Sequence, residues 1–306
     1  MQRTLKSAVS FSGLGLHSGR PARMTVRPAS ADYGIWFRRT DLKVTDTLIP
    51  ARWDVVVPSK LCTLLSNASG ATVSTVEHIM AALAGCGIHN ALIEIDGPEI
   101  PIMDGSSAVF VDRFLAVGLR EQMIPVRAIR VLETVEVREG DAVARLEPSE
   151  MLEINFSIDF AEQAIGRQEK HLNMANGAFV RELCDSRTFC RQSDVDAMRA
   201  NGLALGGTVD NAVVFDGDHV VSPGGLRHAD EPVRHKMLDA LGDLALAGGP
   251  ILGRYTGIRA GHAMTNKLLH ALFAKRGAWK MVECGPMTGL KLPGMGVARA
   301  DLAAVA

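Results

Sequence analysis

The sequence predicts an α+β protein built from two similar halves. Each half runs through several strands, a helix, a further strand and a second helix, which indicates a weak internal repeat. A His-x-Met motif opens the first helix of each half, at His78 and His235. The length of 306 residues suits two domains that each bury a core. We therefore predict domains over residues 1–122 and 123–306, with the boundary inside the stretch 118–125.

Composition excludes several classes of protein. The formal net charge is −1, so no broad electrostatic attraction to nucleic acid or to an anionic membrane is expected. Five cysteines, odd in number and without a CxxC pair, argue against a disulfide framework and favour the reducing cytoplasm. We expect no secretory leader after Met1 and no membrane span, because no run of about 18 apolar residues occurs.

In the first half, apolar alternation and glycine-rich turns predict the elements. Strands are expected at 9–19, which ends in a tight loop, at 24–28 paired with 34–38, and at 90–96, and a helix is expected after Ser106. Ser74 and Glu77 form the S-x-x-E pattern of a capping box for a helix over 74–85. Capping would account for Glu77 but leaves His78 unexplained. His17, in the glycine-rich loop, is expected to be exposed.

The second half is predicted in the same way. Hairpins are expected over 129–147 and 213–221, strands at 152–160 and 251–256, and helices at 176–184, at 193–200 and from 261 onward. The main helix covers 230–246. Asp230 is a plausible N-cap, Pro232 fits the first turn, and the Gly-Gly-Pro sequence at 248–250 ends the helix.

Three polar residues form one column on this largely apolar helix. His235, Asp239 and Asp243 are spaced by four, so their side chains lie one above another. Buried carboxylates are costly unless something pairs with them. An imidazole and a carboxylate one turn apart can hold one zinc ion, although such pairs also occur as solvated charges on ordinary surfaces.

We hypothesise one zinc ion held by His78, His235 and Asp239. Three protein ligands leave a fourth position for water, which is typical of a catalytic site, and zinc lowers the pKa of that water to roughly 7. Glu77 could take the proton of the water if it is not held in the capping box.

A leaving amine needs a proton, and His262 is the candidate acid. It lies near a helix start, where a cation is disfavoured unless a carboxylate such as Asp243 offsets the helix dipole. The alternative is a buried helix-start histidine. The Thr188 hydroxyl could stabilise an oxyanion, and Lys236 could meet an anionic substrate group or be solvated.

Several motifs together carry a resemblance to a known family. They lie at residues 13–19, 74–78, 81–85, 99–105, 157–160, 187–189, 205–207, 233–243 and 261–269. Over nearly its whole length the chain resembles the UDP-3-O-acyl-N-acetylglucosamine deacetylases of Gram-negative bacteria, zinc enzymes of the committed step of lipid A synthesis. The resemblance implies helices sandwiched between two sheets and the same three zinc ligands. It also implies Glu77 as general base and His262, held by Asp243, as acid.

The resemblance also implies how the substrate is held. Thr188 and Phe189 would contact the oxyanion and the sugar, Lys236 the diphosphate, and Asp159 and Phe160 the nucleotide end. An apolar passage for the acyl chain would include Val195 and Ala204. The chain departs from the common pattern at residues 190–192, Cys-Arg-Gln, which bears on the acyl-chain preference.

The sequence leaves alternative functions open. The protein could be a zinc amidohydrolase acting on another amide, or a non-catalytic nucleotide-sugar or lipid-binding module with a structural metal, which a fourth protein ligand would close. Iron could replace zinc. The small apolar tail Ala303–Ala306 could be a signal for a regulatory protease or simply a frayed end.

Overall fold

The computed structural model describes residues 1–302 and confirms the α+β class. Its strands are β1 (Arg3–Leu5), β2 (Val9–Leu14), β3 (Pro21–Pro28), β4 (Ile35–Arg39), β5 (Leu48–Pro50), β6 (Val56–Val57), β7 (Leu64–Ser66), β8 (Thr72–Ser74), β9 (Ala91–Ile95), β10 (Leu119–Glu121), β11 (Arg127–Val131), β12 (Val135–Glu139), β13 (Ala142–Pro148), β14 (Leu152–Asp159), β15 (Arg167–Asn173), β16 (Phe189–Arg191), β17 (Val213–Asp216), β18 (His219–Val220), β19 (Ile251–Ile258) and β20 (Trp279–Glu283). Its helices are α1 (Glu77–Cys86), α2 (Ala108–Val117), α3 (Ala178–Glu182), α4 (Gln192–Ala200), α5 (Glu231–Ala245), α6 (His262–Ala274) and α7 (Pro286–Gly289).

Both halves share a five-strand arrangement, to which the sheet of the second half adds β11 beside β19, and β20. In the first half, the hairpins β2–β3 and β4–β5 flank β9, which is antiparallel to β3 and parallel to β4. In the second half, the hairpins β12–β13 and β14–β15 flank β19, which is antiparallel to β13 and parallel to β14. A helix precedes and another follows each central strand, namely α1 and α2 around β9, and α5 and α6 around β19. The predicted repeat is therefore present in the topology.

Each half carries an addition at the same point of the repeat. Between the second hairpin and the first helix, the first half adds the small sheet β6–β7–β8. The second half adds the sheet β16–β17–β18 together with α3 and α4 at the equivalent point. These additions lie beside the starts of α1 and α5, and each supplies residues to the site described below.

Helices α1 and α5 pack against each other between the two sheets. The contact is close because Gly242 has no side chain, and a Cβ added there would lie 2.0 Å from the carbonyl oxygen of Glu77. Helix α5 also packs on β14 and β15, α6 packs on β12 and β13, and α2 contacts β2. The first turn of α1, which carries His78, is thereby held against the middle of α5.

Four local expectations are wrong. The hairpin predicted over 129–147 is confirmed only for β12 and β13, because β11 pairs with β19 and β20 instead. Strands β3 and β4 do not pair, because β9 lies between them. The Ser74 hydroxyl donates to the carbonyl of Pro98 rather than to a helix amide, and α1 begins only at Glu77, so no capping box forms. The Asp230 side chain does not cap α5, because Lys170 and Arg234 bind its carboxylate.

Other expectations concern the chain as a whole. All five cysteines lie within residues 1–302 and are free there. No helix of this described part has both the length and the apolar character that crossing a bilayer requires. The boundary between residues 122 and 123 stays a prediction, and the degradation signal at Ala303–Ala306 lies outside the described residues.

The contact at Gly242 can be tested by stability measurements. Alanine is the better helix former by about 1 kcal/mol, but its methyl group would press on the backbone of α1. We expect Gly242→Ala to lower the free energy of unfolding by about 1–3 kcal/mol in urea titrations at fixed metal content. Gly289→Ala is the control, because nothing lies within 4 Å of that Cβ position. Equal stability of Gly242→Ala and the unmodified protein would contradict so close a contact.

Candidate metal centre and active site

Three buried side chains converge where α1 meets α5. His78 lies in the first turn of α1, His235 and Asp239 lie on α5, and their ligand atoms all lie within 4.8 Å of one another. Nε2 of His235 is 3.3 Å from Oδ1 of Asp239, and Nε2 of His78 is 3.6 Å from the same oxygen. Tetrahedral ligands at zinc-to-donor distances near 2 Å are about 3.3 Å apart. The spacing therefore fits one small divalent ion.

Hydrogen bonding supports the same conclusion. Nδ1 of His235 is 3.0 Å from the carbonyl oxygen of Ser186, which can only accept, so Nδ1 carries the proton. Burial lowers the pKa of His235 to about 4, so its Nε2 presents a lone pair at neutral pH. That lone pair faces Oδ1 of Asp239, a buried oxygen without a hydrogen-bond partner among residues 1–302. Two acceptors facing each other in a buried site call for a cation between them.

The Asp239 carboxylate is ionised in this environment. Burial alone would raise its pKa, but His235 and Lys236 hold the pKa of Asp239 well below its ordinary value. Nζ of Lys236 lies 2.8 Å from Oδ2 of Asp239. Lys236 thus contacts a predicted metal ligand here, and its predicted role toward a diphosphate stays a prediction.

Glu77 stands beside the three ligands with its carboxylate free of any helix-capping role. One of its oxygens accepts a hydrogen bond from the backbone amide of Thr63 at 3.0 Å. The other lies 3.7 Å from Nε2 of His262. Burial raises the pKa of Glu77, and the nearby His262 and His78 oppose that shift. A buried carboxylate with a raised pKa is suited to accepting a proton.

His262 begins α6 and is held by Asp243. Its Nδ1 donates to Oδ2 of Asp243 at 2.8 Å, and Oδ1 of Asp243 accepts from the Thr63 hydroxyl at 2.6 Å. Burial would lower the pKa of His262, but Asp243 and then Glu77 outweigh it and raise the pKa to about 9. The protonated Nε2 faces Glu77 and lies 4.0 Å from Oδ2 of Asp239. The ring can therefore offer a proton toward the three candidate ligands His78, His235 and Asp239, which we call the metal cluster.

The loop 185–189 positions two further groups. Arg187 forms a buried ion pair with Glu231 at 2.9 Å, and its backbone amide binds the same carboxylate. This anchor fixes the Ser186 carbonyl that orients His235. The backbone of Thr188 is hydrogen-bonded at both ends. The Thr188 amide donates to the carbonyl of Gly105, and the Thr188 carbonyl accepts from the amide of Val213, each at 2.8 Å. Its side chain faces the adjoining cavity.

That cavity has a volume of about 650 Å³. It is lined by most of the side chains that the sequence assigned to the sugar, the nucleotide end and the acyl passage, namely Phe160, Thr188, Phe189, Val195 and Ala204. The Phe189 ring lies 5.6 Å from that of Phe160 and 6.3 Å from that of His235, so it joins the cavity to the metal cluster. Asp159 lies apart at the end of β14, where it pairs with Arg259 and is nearly half exposed.

The sequence reasoning missed or misplaced three contributors. His17 was expected to be an exposed loop residue, yet it lines the cavity, because Glu99 binds the amides of residues 17 and 18 at 2.8 Å. Thr63 and the Ser186 carbonyl were not recognised. Their partners lie far away in sequence, and the residues themselves carry no local signal.

Comparison with known proteins places the chain in a family. Residues 2–274 match the family LpxC, UDP-3-O-acyl N-acetylglycosamine deacetylase. The chain belongs to this family. A similar curated protein from Phenylobacterium zucineum (strain HLK1) is 49% identical, over 92% of this chain and 96% of the relative. Another, from Shewanella woodyi (strain ATCC 51908 / MS32), is 46% identical, over 92% of this chain and 93% of the relative. That of Xanthomonas axonopodis pv. citri (strain 306) is 47% identical over 92% and 93%. All three are named UDP-3-O-acyl-N-acetylglucosamine deacetylase.

Membership of the LpxC family agrees with the geometry. The matched residues include every group described around the metal cluster and the cavity. The family and the cluster of two histidines and one aspartate together support a metal-dependent enzyme.

The metal cluster can be tested directly. We expect the purified protein to bind one zinc ion per chain and Asp239→Ala to weaken binding by at least about 100-fold, because a ligand is lost outright. Competition against a chromophoric chelator gives the affinity. Asp159→Ala, at the exposed end of β14, is the control and should bind zinc as the unmodified protein does. Unchanged affinity in Asp239→Ala would place the metal elsewhere.

Proposed function

We propose that this protein hydrolyses the N-acetyl amide of UDP-3-O-acyl-N-acetylglucosamine and releases acetate, as a step of lipid A biosynthesis. The observation that carries the proposal is the set of three buried candidate ligands, beside which the Glu77 carboxylate and the Asp243-held His262 lie 3.7 Å apart. Family membership and the names of the relatives supply the substrate class.

The proposed metal is zinc, held by His78, His235 and Asp239. The two nitrogens and one carboxylate oxygen suit zinc, and iron is the competing occupant. When bound with an open position, zinc supplies a water of lowered pKa and polarises the amide carbonyl. Zinc commonly has four ligands, and three donor residues cluster among residues 1–302, which is consistent with a fourth position open to water.

Two side chains move the protons in this proposal. The Glu77 carboxylate accepts one proton from the attacking water. Nε2 of His262 donates one proton to the amide nitrogen, so that the C–N bond breaks with a neutral amine as the leaving group. The bond from Nδ1 of His262 to Asp243 keeps the ring oriented and stabilises its cation. One water is consumed, and one acetate, one amine and one proton are formed.

Other residues hold the substrate in the proposal. The Thr188 hydroxyl faces the developing oxyanion, and Phe189 contacts the sugar beside the metal cluster. The cavity wall with Val195 and Ala204 takes the acyl chain. Lys236 is assigned to the diphosphate, and Asp159 and Phe160 to the nucleotide end.

The same proposal covers location and turnover. A cytoplasmic location is supported by five free cysteines within the described residues. Regulated degradation through Ala303–Ala306 remains a hypothesis from the sequence alone.

A binding module with a structural metal is the alternative from another class. Such a site is normally closed by a fourth protein ligand, whereas three donors cluster in the described part of the chain. His262 lies 3.7 Å from Glu77 and 4.0 Å from the candidate ligand Asp239, and a carboxylate and a histidine beside the ligands favour catalysis.

Substrate, reaction and metal can be tested together. We expect acetate release from UDP-3-O-acyl-N-acetylglucosamine, loss of that release after chelation and recovery on adding zinc back. Substrates of several acyl lengths, and an N-acetyl sugar lacking UDP or the acyl chain, serve as comparisons. Release from the simple sugar at the same rate would indicate another amide substrate. No release from folded, metal-loaded protein would favour the binding module.

The role of Glu77 has its own prediction. Glu77→Gln keeps the shape of the side chain but removes the proton acceptor, so kcat should fall by about 10²- to 10⁴-fold with one zinc per chain retained. Steady-state kinetics and metal analysis give the two readouts. Glu283→Gln, on the exposed face of β20, is the matched control and should keep full activity. Undiminished kcat in Glu77→Gln would remove Glu77 from the mechanism.

A further inference from the structure

Thr63 contacts both carboxylates that stand around His262. It is buried in the segment just before β7, in the sheet added to the first half. Its hydroxyl donates to Oδ1 of Asp243 at 2.6 Å, and its backbone amide donates to Oε2 of Glu77 at 3.0 Å. We propose that Thr63 is a positioning residue, whose hydroxyl orients Asp243 so that His262 directs Nε2 at the reacting amide. The inference rests on the function proposed above.

The bond to Asp243 fixes the plane of that carboxylate. Asp243 is 3% exposed, so water cannot easily satisfy an oxygen that lacks a protein donor. His262 occupies one carboxylate oxygen and Thr63 the other. With both oxygens bonded, the carboxylate cannot rotate without breaking a buried hydrogen bond. The imidazole bound to it is held in one orientation as a result.

The two bonds of Thr63 also join the halves of the protein. Asp243 and His262 belong to the second half, whereas Thr63 and Glu77 belong to the first. The hydroxyl and the amide come from one residue, so its covalent geometry limits the separation between Glu77 and Asp243. A shift of α5 along α1 would stretch at least one of these bonds. Thr63 therefore sets the spacing between the proposed base and the carboxylate that holds the proposed acid.

Side-chain replacements can separate the two bonds. Thr63→Val removes the hydroxyl but keeps the branched shape and the backbone amide that binds Glu77. Thr63→Ser keeps the hydroxyl. The substitution to valine therefore tests the bond to Asp243, and the substitution to serine is the matched control.

The first experiment measures acetate release by the zinc-loaded variants. We expect Thr63→Val to lower kcat about 10- to 100-fold with KM changed less than about twofold, because orientation of the acid affects the transition state and not substrate binding. Thr63→Ser should stay within about threefold of the unmodified protein. In protein that already carries Asp243→Asn, adding Thr63→Val should lower kcat by less than about twofold, since Thr63 acts through Asp243. The proposal would be overturned if Thr63→Val alone left kcat unchanged. It would also be overturned if Thr63→Val lowered kcat in the Asp243→Asn protein by as much as it does alone.

A second readout does not depend on activity. In protein with ¹⁵N-labelled histidine, the Nδ1 proton of His262 is assigned by its loss in His262→Gln. We expect Thr63→Val to shift or broaden this resonance and Thr63→Ser to leave it in place. An unmoved resonance in Thr63→Val contradicts the positioning role even if acetate release fails for another reason, which separates this inference from the proposed function. If Thr63→Val does not fold, Thr63→Ala carries the same comparison.

Discussion

Burial of charge at the contact between α1 and α5 is the constraint on which the rest of the site depends. Three carboxylates, those of Glu77, Asp239 and Asp243, lie there with little exposure. Lys236 and protonated His262 supply two positive charges. With Glu77 ionised, one negative charge remains uncompensated, and Oδ1 of Asp239 is the oxygen without a hydrogen bond in the described structure. A divalent cation between the two histidines and this oxygen would more than offset that charge, so the electrostatics and the ligand geometry both favour a cation here.

The repeated fold explains how so many charged groups reach one place. Each half contributes the helix that precedes its central strand, and Gly242 lets the two helices approach until the start of α1 meets the middle of α5. The repeat alone would give a nearly symmetric pair of helices. The small sheets added before α1 and α5 break that symmetry, because one supplies Thr63 and the other adjoins the loop that carries Ser186 and Thr188. The two faces of the metal cluster thereby acquire different chemistry.

The sequence predicts those parts of the site that depend on local spacing. The column His235, Asp239 and Asp243 is readable because helical periodicity puts residues four apart on one face. The Ser74–Glu77 pattern is equally local but misleading, since Ser74 remains in β8 and the carboxylate of Glu77 is bound by Thr63 instead. The pairing of β9 between β3 and β4, the placement of His17 and the role of Thr63 depend on contacts between distant segments. Periodicity carries no information about such contacts, and the family resemblance was needed to choose among roles for residues such as His262.

The polar sequence at residues 190–192 is compatible with an apolar cavity because its charge is compensated at the wall. Arg191 forms ion pairs with Asp194 at 2.6 Å and with Glu162 at 3.2 Å, and its side chain is 39% exposed. The guanidinium is therefore paired and partly solvated, so the chain does not have to bury a free charge. Apolar side chains such as Phe189, Val195 and Ala204 still line the cavity. Residues 190–192 thus add paired charge to the wall, and apolar surface remains in the cavity where the proposal places the acyl chain.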